Sequence, residues 1–221
     1  MNGVNVLSTA AALLISVAAA AYLLGCINGA IAASHFFYHD DVRRHGSGNA
    51  GLTNFYRTYG AKCALAVIAF DMLKAAAAVW LGDAVLDALL GWGVAGEYYA
   101  ALFCVIGHMF PAFYSFRGGK GILCSATLLL LLDWRIALVG WGIFALLWLT
   151  TRYVSLGSVC AALSFPVMTQ IVFADGMTTA LSIVIAALVL WAHRGNIKRL
   201  LGGTENKFHF HVDAPKPGEE A

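Results

Sequence analysis

Charged side chains are scarce in this chain of 221 residues, because Asp, Glu, Lys and Arg together make up only 12% of it. A soluble domain carries about 25%. Apolar residues reach 60%, and the mean hydropathy is +0.75. Several apolar runs approach the roughly 20 residues that a membrane-spanning helix needs. The composition therefore excludes an ordinary soluble domain and predicts an all-α integral membrane protein.

The chain also lacks the residue patterns of several common sites. Its five cysteines lie in or at the ends of apolar runs, and no two form a C-x-x-C pair. This is typical of small buried side chains and not of a disulfide framework. The spacings H-E-x-x-H and G-x-x-x-x-G-K-[ST] are absent, which argues against a zinc protease motif and a Walker loop. We expect no metal and no cofactor.

Seven apolar runs follow one another along the chain. The fourth, at 122–132, has 11 residues and as a helix would reach only about 17 Å, against a hydrocarbon core of about 30 Å. Either it extends into its flanks, or the loop before it dips into the membrane inside the protein. We predict about seven transmembrane helices in one domain, 1–207, and a disordered tail, 208–221. The runs are 6–34, 61–81, 98–116, 122–132, 136–150, 153–174 and 177–193.

The distribution of positive charge predicts the orientation of these helices. With seven spans, 12 of the 14 Lys and Arg residues fall on one side, because only Arg135 lies on the other side and Lys74 lies within a span. This asymmetry predicts an N-terminus outside the cell and a C-terminus in the cytoplasm.

A glycine-rich loop, Arg117-Gly118-Gly119-Lys120-Gly121, separates the third and fourth runs. Three glycines in five residues allow backbone N–H groups to turn inward together, and such a nest binds anions, above all phosphate. Lys120 adds a compact positive charge and Arg117 a planar one. The alternative is a glycine-rich turn with two cations that reach the membrane surface.

A second polar stretch lies at 46–57, with the sequence GSGNAGLTNFYR. Ser47 stands between two glycines, so its hydroxyl is sterically open as a nucleophile or as a hydrogen-bond donor. Asn49 follows it, and Thr53, Asn54 and Arg57 share a face if a helix begins near Thr53. The alternative is an N-cap and a turn before the second span.

A third polar stretch follows the seventh run. His193, Asn196 and Arg199 lie at i, i+3 and i+6, so they follow one face of a helix that leaves the membrane. Asn196 is suited to orienting a substrate oxygen, and His193 to donating a hydrogen bond or carrying a proton. Glu205 either contacts a cation of the site or is solvated. The alternative is an interfacial helix with a basic face. On the predicted topology all three stretches meet on the cytoplasmic side.

Asp71 and Lys74 lie at i and i+3 within the second run. Ionisable residues there are costly and suggest function, although an ion pair that fixes helix packing is an equal alternative. His108, three residues before Pro111, is interpreted as a packed histidine at the end of a helix, with a role in the site as the alternative.

The chain resembles the bacterial membrane acyltransferases that use acyl phosphate to acylate glycerol 3-phosphate. The resemblance depends on the stretch at 46–57, on GHMFP at 107–111 through RGGKG at 117–121, and on HRGNIKRLL at 193–201 through GTE at 203–205. Weaker matches are DMLK at 71–74 and YVSL at 153–156. Together they extend from about residue 25 to residue 207.

The resemblance implies a seven-helix fold in the bacterial cytoplasmic membrane, with its motifs on the cytoplasmic side. It implies transfer of a fatty acyl group from acyl phosphate to the 1-position of glycerol 3-phosphate, the first acylation of phospholipid synthesis. The substrates and the lipid bilayer are then the partners, with neither nucleic acid nor an obligate protein partner. The resemblance and the motifs together give catalytic roles to Ser47, Arg57, Lys120, His193 and Asn196, substrate binding to Asn49, Thr53, Asn54, Arg117, Gly118, Gly119, Gly121, Ser155 and Arg199, and structural roles to Glu205, Asp71 and Lys74.

Three positions depart from the pattern of the family. Ala50 and Asn28 stand where proline is usual, and Leu52 stands where alanine is usual. These changes leave the charged and hydroxyl groups in place, so they affect the expected rigidity of the loops more than the chemistry.

Two other classes of protein fit parts of this pattern. A transporter for phosphate or phosphate esters would explain a phosphate site in a membrane protein without any reaction there. Many transporters contain an internal repeat, however, and none is visible in this sequence. An intramembrane serine hydrolase would use Ser47 with His193, although a loop serine flanked by cations suits phosphate better.

Overall fold

The computed structural model describes residues 3–208, which contain helices and no strand. The predicted all-α class is therefore confirmed. Of the expected tail, 208–221, all residues except Phe208 lie outside the described part. The helices are α1 (Gly3–Cys26), α2 (Gly29–Tyr38), α3 (Leu52–Tyr59), α4 (Ala64–Gly82), α5 (Ala88–Leu90), α6 (Val94–Met109), α7 (Ile122–Leu132), α8 (Trp134–Thr151), α9 (Val154–Phe173), α10 (Gly176–Ala192) and α11 (Arg194–Leu201).

Four segments of the described chain are long and apolar enough to cross a membrane: Leu7–Tyr38, Ala64–Leu90, α8 and α9. A fifth results if α10 and α11, which are bent by 60° at their junction, are taken as one span. α6 has 16 residues and α7 has 11, so both fall short of the roughly 20 that a span needs. The membrane architecture agrees with the prediction, whereas the count of seven helices and the orientation stay predictions.

The structure departs from two of the predicted apolar runs, and each departure has a local cause. The first apolar run is broken at Asn28, whose Oδ1 accepts the N–H of Ile31 at 3.0 Å and so starts α2 as a new helix. The third run ends at Met109 and not at residue 116. Pro111 has no N–H and disfavours a helical conformation in the residue before it. The helix expected near Thr53 is confirmed, because α3 begins at Leu52.

Small residues let the first helices approach their neighbours closely. A Cβ at Gly25 would collide with the carbonyl oxygen of Cys104 in α6, and a Cβ at Gly29 would lie 2.7 Å from the carbonyl oxygen of Val67 in α4. The spacing of Gly25 and Gly29 therefore supports close packing, but against two different helices on either side of the break at Asn28.

The remaining long helices enclose the space in which the site lies. α7 packs against α8, α8 against α9, and α9 against α10. The short helices α3 and α11 carry the second and third polar stretches, and α11 also contacts α9. Polar side chains therefore gather at one end of a group of four apolar helices.

Candidate active site

A cavity of about 370 Å³ lies between α7, α8, α9 and α10, and its two ends differ in chemistry. Apolar side chains of these helices line one end, among them Leu129, Phe144, Phe165 and Ile185. Polar and charged side chains line the other. The predicted site residues that line the cavity are Ser47, Asn49, Thr53, Asn54, Arg57, Asp71, Lys120, Gly121, Ser155, His193, Asn196, Arg199 and Glu205.

Glu205 is the centre of the hydrogen bonds at the polar end. Its Oε1 accepts from Ser155 Oγ at 2.7 Å and from Asn196 Nδ2 at 2.6 Å, and its Oε2 accepts from Arg199 Nε at 2.7 Å. Burial raises the pKa of this carboxyl, but the three donors together lower it by more, so the net shift is downward. Glu205 thus joins α9 and α11 as an ionised carboxylate, which fits its predicted structural role.

Lys120 is the cation nearest to this group. Its Nζ donates to Asn196 Oδ1 at 2.5 Å. Burial, together with the positive charges of Arg199 and Arg57, lowers the pKa of Lys120 to about 8, although the charge of Glu205 opposes the shift. The positive charge of the ammonium group is therefore only partly balanced by Glu205, and an anionic ligand would stabilise the protonated form.

His193 lies at the junction of α10 and α11 and is 3% exposed. Its Nδ1 is 2.8 Å from the carbonyl oxygen of Val189. Because a carbonyl oxygen only accepts, Nδ1 carries a hydrogen, and the neutral ring then keeps its lone pair on Nε2. The junction also brings His193, Asn196 and Arg199 to the same cavity, as their spacing predicts.

Asn54 organises the loop that carries Ser47. Its Oδ1 accepts the N–H of Ser47 at 3.0 Å, and its Nδ2 donates to the carbonyl oxygens of Val42 and His45 at 3.0 and 3.1 Å. The amide is therefore largely occupied within the loop, so this geometry gives it a positioning role beside the predicted contact with substrate. The hydroxyl of Ser47 has no hydrogen-bond partner among residues 3–208, and the residue lines the cavity.

The two departures at Asn28 and Ala50 contact each other. Asn28 is fully buried, and its Nδ2 donates to the carbonyl oxygen of Ala50 at 3.1 Å. The side chain that breaks the first span therefore also holds the loop of Ser47. This hydrogen bond supplies a restraint at the two positions where proline is usual in the family.

Two of the amides that the sequence assigned to an anion nest in the glycine-rich loop are used within the protein. The N–H groups of Gly118 and Gly119 donate to the carbonyl oxygens of Met109 and His108, both at 3.1 Å, so neither is available to a phosphate. Neither glycine lines the cavity, and the side chain of Arg117 is exposed and lies outside it. Substrate binding by Arg117, Gly118 and Gly119 therefore stays a prediction that this geometry does not support directly.

Close packing explains the two glycines instead. A Cβ at Gly118 would collide with the carbonyl oxygen of His108, and a Cβ at Gly119 with the carbonyl oxygen of Ala50 and the ring of His108. The loop therefore presses against the end of α6 and against the loop of Ser47. This contact positions Lys120 and Gly121, which do line the cavity.

Asp71 and Lys74 form a buried ion pair of 2.7 Å, and each is under 5% exposed. Lys74 Nζ also donates to the carbonyl oxygen of Ile27 at 2.8 Å and contacts His108 Nδ1 at 2.8 Å. Asp71 Oδ1 accepts the N–H of Gly29 at 3.2 Å. The pair thus ties the break between α1 and α2 to α4, which agrees with a structural role.

Sequence reasoning favoured a packing role for His108 and left it out of the predicted site residues, yet it lines the cavity. It is 2% exposed, and it links the buried ion pair to the glycine-rich loop and to the cavity. The signal for this role is the position of His108 near the end of α6, where the buried pair and the glycine-rich loop both lie.

The segment after α11 closes over the polar end. The N–H of Phe208 donates to the carbonyl oxygen of Arg152 at 2.8 Å, and its ring lies 5.7 Å from the rings of both Tyr56 and Trp148. Arg57 Nη2 reaches the carbonyl oxygen of Lys207 at 3.5 Å. This anchored segment holds Glu205 in the site.

Comparison with known proteins gives one consistent family. The family described as glycerol-3-phosphate acyltransferase matches residues 15–203 of this chain. A glycerol-3-phosphate acyltransferase of Thermoanaerobacter sp. (strain X514) is 38% identical over 187 residues, which cover 85% of this chain and 91% of that protein. Glycerol-3-phosphate acyltransferase 2 of Bacillus anthracis is 39% identical over 186 residues, or 84% and 94% of the two chains.

Two crystal structures are similar to the fold of this chain. Both are of PlsY (YgiH), an integral membrane glycerol 3-phosphate acyltransferase, one in its glycerol 3-phosphate form and the other in its lysophosphatidic acid form. The first has a TM-score of 0.76 at 33% identity and covers 91% of this chain and 96% of its own. The second has a TM-score of 0.76 at 31% identity and covers 89% and 96%.

Proposed function

This chain belongs to the glycerol-3-phosphate acyltransferase family of integral membrane enzymes of phospholipid synthesis, and from that premise we propose its donor, its product and the roles of its residues. The donor is an acyl phosphate, and the acceptor is the 1-hydroxyl of glycerol 3-phosphate. The products are 1-acylglycerol 3-phosphate, which is lysophosphatidic acid, and inorganic phosphate.

The observation that carries the proposal is a single cavity with a cationic end and an apolar end. Lys120, Arg57 and Arg199 line the first, and side chains of α7, α8, α9 and α10 line the second. An acyl phosphate has the same two parts, a charged head and an apolar chain. Two anionic substrates held beside these cations are brought together against their mutual repulsion, which is catalysis by positioning.

The reaction needs little covalent chemistry from the protein. The hydroxyl oxygen of glycerol 3-phosphate attacks the acyl carbonyl carbon, a new ester bond forms, and the bond from that carbon to the phosphate oxygen breaks. The departing phosphate takes the proton of the attacking hydroxyl. His193 Nε2 is the protein alternative for that proton, because its Nδ1 is engaged with Val189.

Ser47 and Asn196 are the proposed donors to the oxyanion that develops on the acyl carbonyl. The hydroxyl of Ser47 is the freer of the two, because Asn196 already donates to Glu205 and accepts from Lys120. Thr53 and Asn49 complete the wall on the side of α3. If Ser47 were a covalent nucleophile, mass spectrometry would detect an acyl-enzyme after a short incubation with acyl phosphate alone, and we expect none.

We extend the proposal to the topology: seven spans in a bacterial cytoplasmic membrane, with the active site facing the cytoplasm. The distribution of Lys and Arg supports this arrangement. A reporter enzyme that works only in the cytoplasm should be active when it is fused at the C-terminus. A reporter enzyme that works only in the periplasm should be active when it is fused at the N-terminus. The reverse result would overturn the orientation.

The decisive experiment is phosphate release from purified protein in detergent, with palmitoyl phosphate and glycerol 3-phosphate. We expect release that requires both substrates, yields lysophosphatidic acid and is lost in Lys120→Ala. Lys198→Ala is the matched control, because Lys198 is exposed on α11 and outside the cavity. Folded protein that releases no phosphate, but takes up glycerol 3-phosphate in proteoliposomes, would be a transporter and would refute the proposal.

A further inference from the structure

The apolar part of the cavity has a definite depth. On α9, Ser155 lies at the polar end and Phe165 at the far end of the lining, and ten residues of helix span about 15 Å. On the antiparallel α10, His193 and Ile185 lie at the same two ends, about 12 Å apart. On both helices the lining therefore ends at a similar depth, next to Phe165 and Ile185.

The ring of Phe165 is held in place from behind. It stacks on the ring of Tyr98 in α6, with centroids 5.7 Å apart and planes within 9° of parallel. Tyr98 is fully buried, and its hydroxyl lies 3.0 Å from Thr169 Oγ1, one turn along α9 from Phe165. Phe165 itself is 5% exposed. Rotation of this ring would break the stack, so the stack opposes movement of the end wall of the cavity.

We propose that Phe165 is the residue that sets the longest acyl chain the enzyme uses efficiently. The inference rests on the proposed function, since it requires the acyl chain to lie in this cavity. Each CH₂ group that enters the apolar part gains from burial until the chain meets the ring. A longer chain has to displace the ring or leave its last carbons elsewhere, and a close-packed wall resists displacement.

Two substitutions move this end wall in opposite directions. Phe165→Leu shortens the side chain and deepens the cavity while it keeps an apolar residue in the core. Ala162 lines the same wall nearly one turn closer to the polar end, so Ala162→Leu fills the space above Phe165. Val172→Ala is the control, because Val172 packs against the core on α9 without lining the cavity.

The test is kcat/KM with lauroyl, myristoyl, palmitoyl and stearoyl phosphate, each at saturating glycerol 3-phosphate. The readout is the ratio of kcat/KM for stearoyl to that for lauroyl phosphate. We expect Phe165→Leu to raise the ratio about tenfold and Ala162→Leu to lower it about tenfold, the effect of burying about two CH₂ groups more or fewer. Val172→Ala should keep the wild-type ratio.

The possible outcomes separate the two proposals. Wild-type protein that is inactive with every acyl phosphate refutes the proposed function. Active variants that all keep the wild-type ratio overturn the role of Phe165 and leave the acyltransferase intact, as expected if the chain leaves the cavity sideways into the bilayer. If Phe165→Leu fails to fold, the direction of change in Ala162→Leu decides the matter.

Discussion

At the scale of single residues, the surroundings of Lys120 bring its pKa close to neutral pH. Burial and the neighbouring cations hold its pKa at about 8, while Glu205 partly opposes them. The free enzyme therefore has the charged lysine below this pH and loses it above. The phosphate of glycerol 3-phosphate, with a second pKa of about 6, is already a dianion there, so any loss of affinity in this range belongs to the protein.

We expect kcat/KM for glycerol 3-phosphate to fall above about pH 8, approaching tenfold per pH unit, because the protonated fraction of Lys120 falls at that rate. Lys120→Arg should lose this dependence, since a guanidinium stays charged. The measurement is a pH profile of kcat/KM for wild type and variant. An unchanged alkaline limb in Lys120→Arg would assign the limb to another group.

A pH profile of the variant Glu205→Gln gives a second test of the role of Lys120. Removing the negative charge takes away the interaction that raises the pKa of Lys120, so the alkaline limb should move to lower pH. A merely structural loss at Glu205 would lower activity at every pH and leave the position of the limb unchanged.

Residue identities predicted which side chains gather, but not which of their atoms remain available. Ser47, Arg57, Lys120, His193 and Asn196 do line one cavity, as the motifs indicated. Sequence reasoning gave no account of how far the amide of Asn54 is used within its own loop. Such pairing depends on the path of the backbone, which the pattern of residue types does not define.

At the scale of elements, the glycine-rich loop shows that a motif can be placed correctly from the sequence while the physical role of its glycines is not. The sequence predicted the position of the loop and the presence of Lys120 in the site. It did not predict the close packing of Gly118 and Gly119, whose N–H groups donate to the carbonyl oxygens of Met109 and His108. The bounds of α7, by contrast, agree with the predicted apolar run, and those of α8 and α9 differ by two residues or fewer, because charged or turn residues flank each run.

We expect Gly119→Ala to lower kcat/KM by roughly a hundredfold, since an added Cβ collides with Ala50 and His108 and displaces the loop, and a shift of about 1 Å costs that much. Gly142→Ala is the matched control, because nothing lies within 4 Å of a Cβ there and alanine favours a helix by about 1 kcal/mol. Full activity in Gly119→Ala would contradict the packing account.

At the scale of the whole molecule, the buried pair of Asp71 and Lys74 joins three parts of the fold. It connects α4, the break between α1 and α2, and His108 at the end of α6. The sequence identified the pair as unusual and gave it a structural role, but not the parts of the fold that it joins. The number of spans was harder to predict, because α6 and α7 are too short by themselves, and whether they cross depends on how neighbouring helices enclose them.

Lys74→Met should destabilise the protein by about 3–5 kcal/mol, because it leaves the carboxylate of Asp71 buried without a cation. The double variant Asp71→Asn/Lys74→Met should recover part of this loss, since no charge is then buried. Thermal unfolding in detergent measures both. A single variant as stable as wild type would mean that the pair contributes nothing to the assembly of the first helices.

The anchored segment after α11 has a consequence for biosynthesis. Glu205 is the hub of the polar end and Phe208 fixes its segment, yet both follow all of the long helices along the chain. The long helices leave the ribosome well before these residues do. A nascent chain, or one truncated after α11, would therefore enter the bilayer with its apolar helices in place and with the polar end of the cavity lacking its central carboxylate.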